Sequence, residues 1–231
     1  MALTDNLISY WKFDGDATDS KGSNDGTVSG ASITTSGKIN SAYSFDGTND
    51  SINVGSIALN NKSFSFSMWL ANTNSSSTIS KLIIGQNSIG STNNVLHIGR
   101  RSNTSKFTFA FYTNDLDSST NMSTDGTWEH WVCTYNASTN SRKIYRNGTL
   151  DNSDTATADY QGTGDLYIGY APFSSNSYFE GKADEIAIWD KELTSTEVTE
   201  LYNSGNGLSY PFTSPETSNN NFFTLTMGAE F

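Results

Sequence analysis

The sequence predicts an all-β protein, a two-sheet antiparallel jelly-roll sandwich with one short C-terminal helix near residues 195–203. Three observations point there. Apolar residues alternate with Ser, Thr or Asn along many short runs, which is the period of a strand with one buried face. Gly, Asn and Asp bound these runs at short intervals, as in a sandwich rather than in βαβ units. Aromatic residues make up 13% of the chain, more than a disordered polar chain carries, so a core of rings is available.

The elements follow in order. LISYWKF, residues 7–13, reads as a first strand with Leu7, Ser9, Trp11 and Phe13 on one face and Ile8, Tyr10 and Lys12 on the other. A polar loop rich in Asp and Gly spans 14–26. SAYSFD (41–46) and SINV (51–54) flank a turn at Gly47–Asp50. In FSFSMWL, Phe64, Phe66, Met68 and Leu70 alternate with Ser65, Ser67 and Trp69. KLIIG, VLHIG and KFTFAFY continue the pattern, the last with Phe107, Phe109 and Phe111 on one face. WEHWVCTY is apolar on both faces, as expected of a central strand, with Trp131, Cys133 and Tyr135 opposite His130, Val132 and Thr134. Asn147-Gly148 is a type I′ hairpin signal, because both central residues of that turn need positive φ. DLYIG (165–169) and KADEIAIW (182–189) complete the strands.

Thr194-Ser195-Thr196-Glu197 is a capping box that starts the helix, with Leu193 and Val198 placed as a hydrophobic staple. Gly205 suits the left-handed position that ends it. These elements define a domain over residues 1–208. Residues 209–231 hold two of the three prolines and read as a linker followed by an apolar tail strand. There Phe222, Phe223, Leu225 and Met227 alternate with polar residues, as a segment for assembly by strand addition does.

Composition narrows function. The chain has 231 residues, a net charge of −11 and about 38% Ser, Thr and Asn. Such acidity argues against a nucleic-acid partner or an anionic membrane surface. Apolar runs stay well short of a bilayer span. One cysteine, Cys133, excludes an internal disulfide. The start MALTDNLISYWKF has no basic region followed by an apolar stretch, so a secretory signal is not expected.

The opening LISYWKFDGDATDSKGSNDGTVSGA, the segment GKINSAYSFDGTNDSINVG, the hairpin TWEHWVCTYNASTNSRKIYRNGTL and the closing FEGKADEIAIWDKELTSTEVTELYNSG together resemble laminin-G-like, concanavalin A-like lectin jelly-roll domains. The likeness runs in order over about residues 5–208. Its narrower form is similar to versions carried on tailed-phage particles. The resemblance implies two curved sheets, binding more often than catalysis, glycans as ligands, and sometimes a calcium ion.

Each implication meets particular residues. Glycoside hydrolysis needs two acids flanking one bond. The Glu-x-Asp-x-x-Glu array of the related glucanases is absent from the sequence. Asp184 and Glu185 are adjacent on a strand and are expected to point to opposite faces. His130 and Cys133 sit in a strand pattern and are expected to be core residues. The chain is therefore expected not to be an enzyme. A structural calcium ion is expected on Asp19, Asn24 and Asp184, with Asp46 brought near Asp184 by strand pairing. For a glycan, Tyr170, Phe173, Asn176 and Tyr178 of the loop YAPFSSNSYFEG supply rings and short polar groups, with Arg100 as a further contact. The expected role is a non-catalytic virion surface protein (decoration, fibre or adhesin) that binds a glycan or host-surface polysaccharide. Such a protein would be extracellular and homo-oligomeric within an assembly of other virion proteins. A ligand-free capsid or tail decoration protein and the lectin domain of a secreted glycan hydrolase system are the alternatives.

Overall fold

The computed structural model describes residues 2–74, 78–88 and 90–212. The expected assembly residues Phe222, Phe223, Leu225 and Met227 lie outside them.

Among the described residues, fifteen strands follow one another. The first eight are β1 (Leu7–Trp11), β2 (Thr27–Ser29), β3 (Ser32–Thr34), β4 (Ala42–Asp46), β5 (Ser51–Ser56), β6 (Phe64–Asn72), β7 (Lys81–Gln86) and β8 (Leu96–Arg100). The rest are β9 (Lys106–Ala110), β10 (Asp115–Asn121), β11 (Glu129–Asn136), β12 (Ser141–Arg146), β13 (Thr149–Thr155), β14 (Asp165–Ile168) and β15 (Glu180–Trp189). One sheet runs β13-β12-β11-β6-β15-β4-β3, with β1 also paired to β15. The second runs β10-β9-β8-β7-β14-β5-β2. The strand pairs within both are antiparallel, which makes the molecule a two-sheet sandwich as the alternation predicts.

The interior is made of rings. Phe64, Phe66, Met68 and Leu70 of β6 face inward, as do Trp131, Cys133 and Tyr135 of β11 and Phe107 and Phe109 of β9. Phe107 stacks on Trp131 across the sandwich at 4.3 Å and 13°. Phe64 packs among Phe66, Phe109 and Tyr135 with centroids 5.5–6.1 Å away. His130 is buried and joins Ser67 Oγ through Nε2 at 2.8 Å.

The helix α1 (Ser195–Tyr202) forms with its capping box: Glu197 N–H donates to Thr194 Oγ1, and Thr194 N–H donates to the Glu197 carboxylate. Val198 and Leu201 bury on the outer face of the first sheet with Tyr10, Val132 and Trp189. The left-handed cap is Asn203 (φ 48°), not Gly205, which instead ends the 3-10 turn Asn203–Gly205 that follows the helix. Beyond it, Leu208, Tyr210 and Phe212 pack on the same face, so the expected linker begins as a strap across the sheet.

Two bulges correct the expected side-chain parity. Leu7 pairs with Trp189 and Ser9 with Ile188, so Ile8 is an extra residue in β1. Leu7 therefore joins Tyr10 on the outer face while Trp11 and Phe13 point inward. In β15 the shift falls between Asp184 and Ala187, where Glu185 takes φ 50°. Ala183 and Ile186 remain in the interior, and Asp184 and Glu185 both turn to the outer face. Their expected opposition does not occur.

Candidate functional site

The candidate site lies on the outer face of the second sheet. Three pieces build it: β8, the β9–β10 hairpin, and the loop 169–179 that follows β14. The loop is held by Ser177, fully buried, whose hydroxyl donates to Ala171 O at 2.8 Å and lies 3.0 Å from Ser174 O. Leu82 N–H donates to Ser177 O at 2.9 Å and ties the loop to β7. The loop can lie this close only because β7 has Gly85 beneath it: a Cβ there would be 2.3 Å from Ala171 Cα. Phe179, also fully buried, anchors the far end on Phe45.

The loop drops Phe173 beside His97 of β8, at 4.9 Å between ring centroids, and edge-on to Tyr112 at 5.8 Å. These rings border a groove of about 380 Å³. Thr108, Ser80 and Ser102 supply hydroxyls, and Arg101 and Asp115 supply charge. Arg101 is held by two carboxylates, with Nη2 2.9 Å from Asp115 Oδ2 and Nη1 3.1 Å from Asp117 Oδ1. Burial pulls the guanidinium down, but Asp117 and Asp115 outweigh it and raise its pKa. The second carboxylate oxygen of Asp115, Oδ1, is buried without a hydrogen-bond partner.

The hairpin turn is strained. Tyr112 (φ 62°) and Thr113 (φ 57°) both take the left-handed conformation of a type I′ turn, closed by Phe111 N–H to Asn114 O at 2.9 Å. Asn-Gly is the usual occupant. A Tyr and a β-branched Thr cost about 1–2 kcal/mol each in that region, and both side chains line the groove. Strain of this kind concentrates at binding sites.

Of the ligand residues expected from sequence, Phe173 is in the groove. Tyr170 and Tyr178 stack on each other at 4.4 Å instead, with Tyr167 edge-on to Tyr170. Asn176 is exposed at the loop tip. Arg100 is 3% exposed, with Nη1 3.5 Å from Asn74 Oδ1, and its neighbour Arg101 takes the groove position. Strand parity contained that signal: Ile98 faces the interior, so Arg100 follows it inward while His97 faces out. His97, Asp115 and Tyr112 were missed because β10 has Leu116 as its one apolar residue and the turn has no glycine.

The expected metal ligands do not gather. Asp19 accepts the amides of Tyr10, Lys21, Gly22 and Asn24 at 2.9–3.1 Å. Burial works against its ionised form, but these amides outweigh burial and lower its pKa. Asn24 Nδ2 donates to Ser9 Oγ. Asp184 lies on the other side of β1, since Trp11 bridges Asp19 on one edge and pairs with Ile186 on the other. Asp46 pairs with Glu180 rather than approaching Asp184, because β15 starts at Glu180. Among the described residues, no three of His, Cys, Asp and Glu are grouped to hold a metal ion.

Asp184 and Glu185 form a buried acid pair on the opposite sheet. Asp184 Oδ2 accepts Lys38 and Ile39 N–H at 2.8 and 2.9 Å, and Tyr10 Oη donates to Glu185 Oε2. Burial, with the charge of Glu185, pushes Asp184 up to about 8. Burial, with Asp14, pushes Glu185 up to about 7. A proton-holding acid is what glycoside hydrolysis needs, yet these residues are 0% and 3% exposed and no sugar reaches them.

A sandwich with rings and hydroxyls bordering an outer-face groove is a lectin-like binding module in form. The chain belongs to the Concanavalin A-like lectin/glucanases superfamily, whose Laminin_G_3 model matches residues 46–199. The fold is similar to domain 4 of AbnA, a GH43 extracellular arabinanase from Geobacillus stearothermophilus, in complex with arabinotriose. That likeness has TM-score 0.69 and 20% identity, and covers 84% of this chain and 97% of that one. It is also similar to the binding domain of Paraclostridial Mosquitocidal Protein 1 (TM-score 0.66, 19% identity, 88% of this chain and 53% of that one). A third likeness is to botulinum neurotoxin type C, whose uptake into cells is described as dependent upon interaction with two ganglioside molecules (TM-score 0.65, 16% identity, 87% and 52%). The chain thus spans about half the length of the toxin structures it matches. No curated protein matches the sequence. Among the described residues, no helix is long and apolar enough to cross a membrane.

Proposed function

We propose that the protein is a non-catalytic glycan-binding module that uses the groove between β8, the β9–β10 turn and the loop 169–179. One observation carries this reading: Phe173 packs against both His97 and Tyr112, and the three rings border one outer-face groove with the hydroxyls of Ser80, Ser102 and Thr108. A pyranose or furanose offers both a C–H face for such rings and hydroxyls for such hydroxyl partners. The arabinotriose and ganglioside partners named for the similar structures support the ligand class. The groove carboxylate, Asp115, and its neighbour Asp117 are committed to one guanidinium, which leaves neither free as general acid, so binding rather than hydrolysis fits the site.

A glycan array probed with the full chain tests the reading, together with release of reducing ends from any glycan retained. Retention without release is expected, and Phe173→Ala abolishes it. Hydrolysis, or retention unchanged in Phe173→Ala, refutes it. The finer setting is display outside the cell on a phage particle, in contact with other virion proteins and further copies of the chain. That setting rests on the sequence resemblance and on a net charge of −11, which keeps surface proteins apart in water. Mass spectrometry of purified particles tests it.

A further inference from the structure

The outer face of the second sheet carries another ring-bordered groove, on the far side of the same loop. Leu166 and Ile168 point into the interior, so Tyr167 between them points out. Strand register sets Asn53, Tyr167, Gly85 and His97 in one row across β5, β14, β7 and β8. Gly85 is the seat on which the loop 169–179 lies, under Ala171. Tyr167 and His97 therefore flank that seat on opposite sides, two strand spacings or roughly 10 Å apart. The loop divides the face at consecutive residues: Pro172 borders the groove on the Tyr167 side, and Phe173 the groove on the His97 side.

The Tyr167 groove measures about 330 Å³. Tyr167 is half-buried there and its ring is braced from two directions. Tyr170 meets it at 5.8 Å and 86° and is itself stacked on Tyr178. Asn53 Nδ2 lies 3.4 Å from Tyr167 Oη and donates to Asp165 Oδ2 at 3.0 Å. Thr163 and Asp165, which also border the groove, are exposed. A fixed ring thus stands beside a hydroxyl and a carboxylate that solvent reaches, and a ring held in place loses little freedom on binding.

We propose that the Tyr167 groove is a second sugar subsite, so that the module binds an internal stretch of a linear oligosaccharide across the loop rather than one terminal sugar. The inference rests on the glycan-binding reading above and adds the length of the ligand. A single sugar fills one groove only. A chain that crosses the loop at Pro172 and Phe173 fills both, and its second contact is intramolecular.

The test measures affinities of the full chain for ladders of xylo-, arabino-, cello- and malto-oligosaccharides, from disaccharide to hexasaccharide. In a ladder that binds, the hexasaccharide is expected to bind at least about 10-fold tighter than the disaccharide, more than the few-fold statistical gain of a longer chain offering more registers. Tyr167→Ala should bring the hexasaccharide down to near the disaccharide affinity and leave the disaccharide unchanged, whereas Phe173→Ala removes both. Asp165→Asn, at an exposed position, should weaken only the longer members, several-fold, so misfolding of Tyr167→Ala leaves the test intact. Affinity independent of length, or a length gain that survives these two groove variants, overturns the second subsite and leaves the Phe173 groove standing. Binding of no ladder by the wild type overturns both.

Discussion

Replacing Glu185 by Gln should stabilise the protein, and only at neutral to alkaline pH. The carboxyl is 3% exposed, and Asp184, Asp14 and the Tyr10 hydroxyl surround it, with Lys12 as the charge acting in its favour. Its pKa moves from 4.5 to about 7, chiefly through burial. A raised acid pKa means that the folded chain binds the proton more tightly than the unfolded chain. Its contribution to stability is therefore complete below about pH 4.5 and is lost as pH rises through about 7. At about 1.4 kcal/mol per pH unit, the loss reaches roughly 3 kcal/mol by pH 8. Gln has the shape of the protonated acid, keeps an acceptor for Tyr10 Oη, and cannot ionise. Removing the charge also relieves Asp184, whose own pKa is raised in part by Glu185.

The assay is thermal or urea unfolding of wild type and Glu185→Gln, followed by tryptophan fluorescence at pH 4 and at pH 8. The two proteins should unfold together at pH 4. At pH 8 the variant should melt about 6–12 °C higher, given about 2–4 °C per kcal/mol for a chain of this size. A variant no more stable than wild type at pH 8, or equally stabilised at both pH values, would refute the reasoning from buried charge.

Three further outcomes follow from the same geometry. Gly85→Ala should drive the loop 169–179 off the sheet, because the new methyl meets Ala171 Cα at 2.3 Å. It should cost about 1–3 kcal/mol by overpacking and abolish glycan retention, and retention at wild-type strength would show that the loop is not part of the site. Thr113→Gly should relieve the left-handed turn, raising stability by about 0.5 kcal/mol after the extra flexibility of glycine is subtracted, while weakening retention; denaturation midpoints and affinity electrophoresis read the two effects separately. Excess chelator or added calcium should move the melting temperature by less than about 1 °C, since a ligand stabilises only through binding the native state and the carboxylates of Asp19 and Asp184 already accept backbone amides; a rise of several degrees with calcium would place an ion in the loop.

The interior was legible because period-2 alternation and burial coincide. Phe64, Phe66, Met68 and Leu70 had to share one face, and Trp131, Cys133 and Tyr135 another, or rings would have met water. The capping box was legible because both of its hydrogen bonds lie within four residues. Bulges were not, since one extra residue at Ile8 or Glu185 reverses parity without changing composition. The short edge strands β2 and β3 expose Val28 and Ile33 and bury little, so neither has an apolar pattern to read. The groove was half legible. Phe173 stood out as an aromatic among Ser and Asn, but its partners come from β8 and β10, and nothing local to the loop says which strand passes beneath it.

The chain's acids show why the sites diverge although their residue types match. On one sheet the Lys38–Ile39 backbone caps Asp184, and the strap through Leu208, Tyr210 and Phe212 packs over Tyr10, which donates to Glu185; both acids are buried and their pKa values rise toward neutrality. On the other sheet no helix or strap covers Asp115 and Asp117 among the described residues, and a guanidinium holds them in place. The first arrangement makes the acids part of the packing. The second leaves one carboxylate oxygen without a donor beside a turn that holds Tyr112 and Thr113 in left-handed conformations. An Asn-Gly turn and an Asp115 with both oxygens satisfied would make a more stable hairpin. Both departures meet at one hairpin, whose Tyr112, Thr113 and Asp115 border the groove.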